Sequence, residues 1–499
     1  MFYQNLYLHF HYFEVVVQIS PIAYIYLLLL CIGSIANAQV NSIYQAAPIQ
    51  DTIPEFYSAQ IKLRLKADLA KADQQESKIA KSVKELIIQR SDYVIENFNN
   101  DLFIVDSLYT GFLQNILANI YKANPQLPRE ATVFAHRSSA SNAISFGEGT
   151  IAFTLGLLSR LETEAQIAFV LCHELAHHHA NHSNDKILST AKRYNSDEYK
   201  REIKAINKSE YGQYTRFLKM VSALEISISK HGREKEFEAD SIALIYFANV
   251  SDDMRAPIRT LEILDSLDVD DETEPLDLKR YFDFPDYPFK ESWNNYDTQT
   301  TWHHSVSDIP DSLRTHPGCK LRIKALQRQM ARMSAISVHS RVLNRDNPVF
   351  EQSQFEKIES QYHLKDFGGA LFDALVLLEN YPANGYLHAM AGKSLYQLYS
   401  HQKKHELGKV LPLPDSRFGE PYDRLLTFLH TLRLSELSAL TYHYMRSKKD
   451  SFYTNEDFLF AYWLCGHANP DKIDLTEIKS DYIRKFPNGK YIRQFKNQF

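Results

Sequence analysis

Residues 172–177 read Cys172-His173-Glu174-Leu175-Ala176-His177, an H-E-x-x-H pattern inside an apolar segment that reads as helix. On a helix, residues four apart lie about 40° apart around the axis, one turn above each other. His173 and His177 therefore turn both imidazoles toward one point, and Glu174, about 100° round, flanks it. A metal-dependent hydrolase needs two neutral nitrogen ligands, a third protein ligand, an open position for water and a carboxylate to take that water's proton. Half of that set lies within five residues, so the reading depends on finding the remaining ligand.

Two patterns can supply it. An H-E-x-x-H-x-x-G-x-x-H motif would need Gly at 180 and His at 183, where the chain has Ala180 and Ser183. His182, nine residues after His173, is expected about 180° round the helix, facing away from the ion. The second pattern takes a carboxylate from a later helix. Arg233-Glu234-Lys235-Glu236-Phe237-Glu238-Ala239-Asp240 runs into the apolar Ile242, Ala243, Leu244 and Ile245. Glu236 and Asp240 again share a face, which lets Glu236 reach the metal while Asp240 holds a ligand histidine by its other ring nitrogen. Taken alone, this run would be an ordinary solvated charged face.

With these motifs in order, the chain resembles the zinc metallopeptidases of the CAAX prenyl protease, HtpX, Oma and BepA type. Two further marks agree. Asn142-Ala143 through Gly149 to Gly156-Leu157-Leu158 resembles the family's strand and turn before the zinc helix. His316-Pro317-Gly318-Cys319-Lys320-Leu321-Arg322 resembles its H-P-x-x-x-x-R. The resemblance spans roughly residues 110–330. It implies one Zn2+ per chain held by His173, His177 and Glu236, with Glu174 as general base. It also implies that His316 and Arg322 stand opposite and stabilise the oxyanion of the tetrahedral intermediate.

The formal charge of −5 gives no reason to expect a nucleic-acid partner. An apolar run from Pro21 to Ala36, closed by Ala36-Asn37-Ala38, reads as a signal peptide over residues 1–38, although Met1–Ser20 holds no Lys or Arg. Export to the periplasm is expected on that basis; anchoring by an uncleaved segment is the alternative, and the only route to a membrane partner. Beyond the leader, Cys172, Cys319 and Cys465 are scattered, which argues against a disulfide framework.

Elsewhere the chain reads as helix in most places. Residues 55–125 carry apolar spacing for two or three helices, the last through Phe103, Leu108, Phe112, Ile116 and Ile120. Residues 131–153 favour β-structure, and a sheet edge there would let a substrate strand pair with Asn142, Ala143 and Ile144. Residues 183–232 are basic and helical in pattern. Residues 251–312 are acidic and broken by Pro, in the manner of a lid or binding segment. Asp366 to Pro382, followed by Leu387, Ala391, Leu395 and Leu398, resembles a tetratricopeptide helix pair.

These readings predict a mainly α (α+β) protein. N-terminal helices over 39–109 pack on a zincin-like metallopeptidase core over 110–335, with a small β-sheet beside the zinc helix. A tetratricopeptide-like helical domain follows over 350–499. The expected function is an exported zinc-dependent metalloendopeptidase acting on misfolded or unassembled envelope proteins, with the tail available to a protein partner. The alternative is a periplasmic chaperone or assembly factor that works through the tail, with proteolysis minor or gated. A purely structural zinc, closed by a side chain such as His231, is a third reading.

Overall fold

The structure is a computed structural model and describes residues 44–50, 52–208, 232–267, 276–294, 318–333, 347–415 and 418–496. The leader, His231 and His316 lie outside those residues. The chain divides into two compact units, Met1–Gln45 and Ala46–Phe499. The second holds every described helix and strand. Among the described residues, no helix is long and apolar enough to cross a membrane.

The protein is mainly helical around one four-stranded sheet of order β1-β2-β4-β3. The strands are β1 (Phe103–Ile104), β2 (Thr132–His136), β3 (Ala143–Ser145) and β4 (Thr150–Thr154). β2 and β4 run parallel, and the outer pairs are antiparallel. Side chains alternate across a strand, and that alternation sorts the sheet into two cores. Val133, Ala135, Ile151 and Phe153 face the main core, whereas Phe134 and Ala152 meet Phe98, Phe103 and Ile61 on the other side. Helices α1 (Glu55–Ala72) and α2 (Ser77–Asn99) supply that second side.

Phe103 differs from its expected place in a third N-terminal helix. It pairs with His136 as a strand, and helix α3 begins only at Thr110 (Thr110–Ala123). Asp106 makes the break, its carboxylate accepting from the amides of Tyr109 and Thr110 at 2.9 and 3.1 Å. Side-chain capping of this kind competes with a continuous helix.

Helix α4 (Leu155–Leu158) leads to α5 (Glu164–His179), which carries the H-E-x-x-H pattern. Gly156 is required at the entry, since a Cβ there would stand 2.1 Å from the Ser139 carbonyl oxygen. Thr163 and Gln166 close α5 with a capping box, a device worth about 1 kcal/mol. Every residue from Ala165 to Ala176 is buried. A helix surrounded on all sides has its position fixed by packing.

The basic insert forms helices α6 (His182–Asn195) and α7 (Asp197–Lys208). Helix α8 (residues 232–248) returns to α5, with the rings of Phe247 and Phe169 5.9 Å apart. Helix α9 (Ala256–Leu267) adds Leu261 and Leu264 to the main core. Farther along the acidic segment, residues 276–294 with helix α10 (Leu278–Phe282) pack on the C-terminal region. Phe282 stacks on Phe428 at 5.3 Å, Tyr287 stacks on His443 at 5.1 Å, and Lys290 Nζ donates to Glu436 at 2.6 Å. The sequence-based expectation for 251–312 is a cover over the cleft or a binding segment: Thr260, Leu261 and Leu264 of α9 line the hollow that holds His173, His177 and Glu236, whereas 276–294 is a fastening. Helix α11 (Cys319–Arg332) completes the main core through Cys319 and Leu326.

The C-terminal region is a stack of helices. Its first, α12 (Pro348–His363), places Val349 and Phe350 in the main core. Helices α13 (Phe367–Asn380) and α14 (Gly385–Lys403) stand where the sequence reads a helix pair, capped by Asp366 and Asn384. Helices α15 (Glu420–Thr431), α16 (Leu434–Phe452) and α17 (Glu456–Gly466) come next. α14 packs against α13, α16 and α17.

Candidate metal centre

Helices α5 and α8 converge on one point. His173 Nε2 and His177 Nε2 lie 3.0 Å apart, and the Glu236 oxygens stand 3.4 and 3.3 Å from them. These three are the set of ligating side chains that closes on a single point among the described residues. Four donors at ~2.1 Å around a tetrahedral ion are about 3.4 Å from one another. The triangle has close to that size, so the residues present fit a divalent cation of zinc's dimensions.

The atoms behind the ligands are also held. Asp240 Oδ1 lies 3.0 Å from His173 Nδ1, as the sequence spacing anticipated. Burial disfavours charge on His173, but the Asp240 and Glu236 carboxylates outweigh it and push the imidazole up to about 10. Burial likewise opposes charge on Glu236 and Asp240, and it is overcome. His173 and His177 hold Glu236 well below the usual carboxylate range, and Arg322 leads in lowering Asp240. Two buried carboxylates face one guanidinium here, and the positive charge that this leaves wanting is what raises His173; a metal cation would meet the same demand.

Arg322 is only 3% exposed. Its Nε and Nη2 donate to Asp240 at 2.7 and 2.8 Å, and Nη1 lies 3.0 Å from Glu236. The guanidinium is committed on three sides to the carboxylates that hold the site. These contacts fix Glu236 and Asp240, and the side chain also lines the cleft that holds His173 and His177.

Glu174 points to the sheet edge, where its Oε2 accepts from the Ser145 amide at 2.7 Å. The ladder explains why that amide is available. Asn142 O accepts from Thr154 N, and Phe146 N donates to Thr150 O. Ile144 is then the hydrogen-bonded partner of Ala152, and Ala143 and Ser145 turn their N–H and C=O groups outward. Ser183 Oγ donates to the Ser145 carbonyl at 3.3 Å. Asn142, Ala143 and Ile144, expected to pair with substrate, all line the cleft of about 380 Å³ that contains His173, His177 and Glu236, but of the three only Ala143 has outward main-chain groups, those of Asn142 and Ile144 being taken up by β4. A larger hollow of about 980 Å³ lies against His178 and His179, away from the ligand triangle.

His182 is the residue that sequence reasoning misplaced. Helix α5 ends at His179, and Asn181 takes the left-handed conformation with φ 61°. This break swings His182 back, so that its Nδ1 sits 2.9 Å from His177 Nδ1 and its Nε2 sits 3.2 Å from Glu238. Burial lowers its affinity for a proton. The signal was present in Asn181, one of the few side chains that enter that backbone region readily.

A sequence model of peptidase family M48 matches residues 109–330. This segment belongs to that family. The M48 match spans α3, the whole of β2–β4, the ligand helices α5 and α8, and α11, so it covers each described element that lends a side chain to the metal centre. It identifies the segment as a metallopeptidase domain. No curated protein matches the chain.

Proposed function

We propose that the protein is an exported zinc-dependent endopeptidase that cleaves misfolded or unassembled envelope proteins. The observation that carries the reading is the triangle of His173, His177 and Glu236 with Glu174 beside it on the edge of the sheet. Zinc at this triangle would supply Lewis acidity to a water and to the scissile carbonyl. Glu174, aimed by the Ser145 amide, takes the proton of the attacking water and passes it to the leaving amine. Asp240 keeps the His173 ring turned so that Nε2 faces the site. Arg322 leads in keeping Asp240 ionised in a buried setting and adds to the hold of the two imidazoles on Glu236. Ala143, with outward N–H and C=O groups, supports main-chain pairing with an extended peptide, a mode that reads backbone more than side chains. Such pairing suits unfolded clients of varied sequence. Export is supported by the apolar run and the Ala36-Asn37-Ala38 cleavage pattern.

The test uses the purified chain with zinc on an unfolded protein substrate, with and without chelator. Cleavage abolished by chelator and by Glu174→Gln, with zinc retained in that variant, is the expected result. Cleavage by Glu174→Gln at the parent rate would sink the reading. Rescue of intact clients by Glu174→Gln would replace it with a chaperone role for the tail.

A further inference from the structure

The two ligand imidazoles are braced in different ways. Behind His173 stands a carboxylate, Asp240, at 3.0 Å. Behind His177 stands another imidazole. We propose that His182 is a positioning residue for His177, transmitting the hold of Glu238 through its own ring. This rests on the metal site proposed above.

Proton accounting gives the arrangement. A ligating His177 must present a lone pair at Nε2, so its one ring proton sits on Nδ1. That N–H has His182 Nδ1 as its neighbour at 2.9 Å. His182 Nδ1 must then accept, which puts the His182 proton on Nε2, where Glu238 Oε2 accepts it at 3.2 Å. Each ring uses one proton, and the lone pair left over faces the site. Exchanging either tautomer sets two protons or two lone pairs against each other. The rings cross at 75° with centroids 4.9 Å apart, so they meet edge to face rather than as a flat stack.

The geometry also joins the two ligand helices. Glu238 lies on α8 two residues beyond Glu236, and Lys235, one residue before Glu236, donates from Nζ to the His182 carbonyl at 3.3 Å. The helix that brings the third ligand thus grips the residue behind the second. His182 itself is 6% exposed, whereas Glu238 at the far end of the relay is 59% exposed.

Removing a partner of this kind typically costs 10–100-fold in metal affinity. The experiment compares full-length wild type with His182→Leu, His182→Gln and Glu238→Gln. Zinc dissociation constants come from chelator competition, and the His177 ring nitrogens are read by 15N NMR of the zinc-bound protein. His182→Leu keeps bulk and loses both nitrogens; zinc binding should weaken ~10–100-fold, and the His177 Nδ1–H resonance should broaden through exchange. His182→Gln offers an oxygen to His177 and an amide to Glu238, and it should recover most of the loss. Glu238→Gln should fall between wild type and the leucine variant.

A folded His182→Leu with wild-type affinity overturns the proposal. So does a glutamine variant no better than leucine, which would make His182 packing alone. Should His182→Leu fail to fold, unchanged affinity in Glu238→Gln overturns it. If wild type binds zinc no better than Glu236→Gln does, the metal site itself is wrong and the relay falls with it.

Discussion

The candidate metal centre and the helical tail solve burial in opposite ways. Around the ligands the chain buries charge: Asp240 and Arg322 are 2% and 3% exposed, and His173 is 9% exposed. In the tail it buries mostly shape, with Leu371, Leu375, Leu395, Leu398 and Tyr444 all fully enclosed and Glu356 a buried charge where the tail joins the sheet. Buried charges repay their desolvation only when every partner is present, whereas an apolar core loses stability in proportion to what is removed. The first region should therefore fail abruptly, and always with loss of function. The second should fail gradually, and in fold alone.

The largest effect that would sharpen this contrast is catalytic. Glu174→Gln should lower kcat by ~10²–10⁴ with little change in melting temperature and zinc still bound, measured by cleavage assay, thermal denaturation and metal analysis. Next comes Arg322→Leu, which strands Asp240 and Glu236 without their cation. A loss of about 3–5 kcal/mol in denaturant unfolding is expected, together with weakened zinc binding. Wild-type affinity in that variant would show that the guanidinium is not what holds the ligands. Leu395→Ala, in the tail, should cost about 2–5 kcal/mol and leave zinc affinity unchanged; coupled loss of both would break the comparison.

The smallest effect is on pH, and it touches both regions. His136 lies on β2 in the peptidase segment and His388 on α14 in the tail, and both imidazoles are held down to about 4. Burial is the leading cause for each, with Arg137 adding to it at His136. A histidine whose folded value is depressed stays neutral in the fold while the unfolded chain takes up a proton below about 6.5. Stability is therefore full above about 6.5 and falls as pH drops toward about 4. Each residue should contribute a loss on the order of 1–3 kcal/mol over that window, read from urea unfolding at stepped pH. His388 also bonds Tyr444 Oη at 2.9 Å and the Pro382 carbonyl at 3.1 Å. A flat pH profile in wild type would show that these imidazoles are not held neutral.

How much of the molecule is legible in the sequence depends on how local each feature is. His173, Glu174 and His177 are legible because helical periodicity alone brings them together, and the same spacing places Asp240 behind a ligand once α8 is recognised. The strands at 131–153 are legible from their composition, but β1 is not. Phe103 has helical spacing with the residues after it, and Asp106 cancels that spacing with two hydrogen bonds. His182 escapes because one residue in a left-handed conformation resets the helical phase, and phase was the whole basis of the expectation. What Arg322 and the 276–294 segment touch is beyond reach for another reason. Their partners are 82 and 146 residues away in Asp240 and Glu436, and no local pattern reports a contact across such distances.

Arg137, at the end of β2, meets Glu356 at 2.7 Å and Asp101 at 3.1 Å, while Glu356 also accepts the Ala47 amide at 2.8 Å. With Arg137 2% exposed and Glu356 fully enclosed, the knot ties the sheet to the first helix of the tail and to the stretch of chain just before α1. A fragment cut to the peptidase segment alone would leave that arginine facing an empty socket, so the minimal working enzyme reaches well past the borders of its family match on both sides.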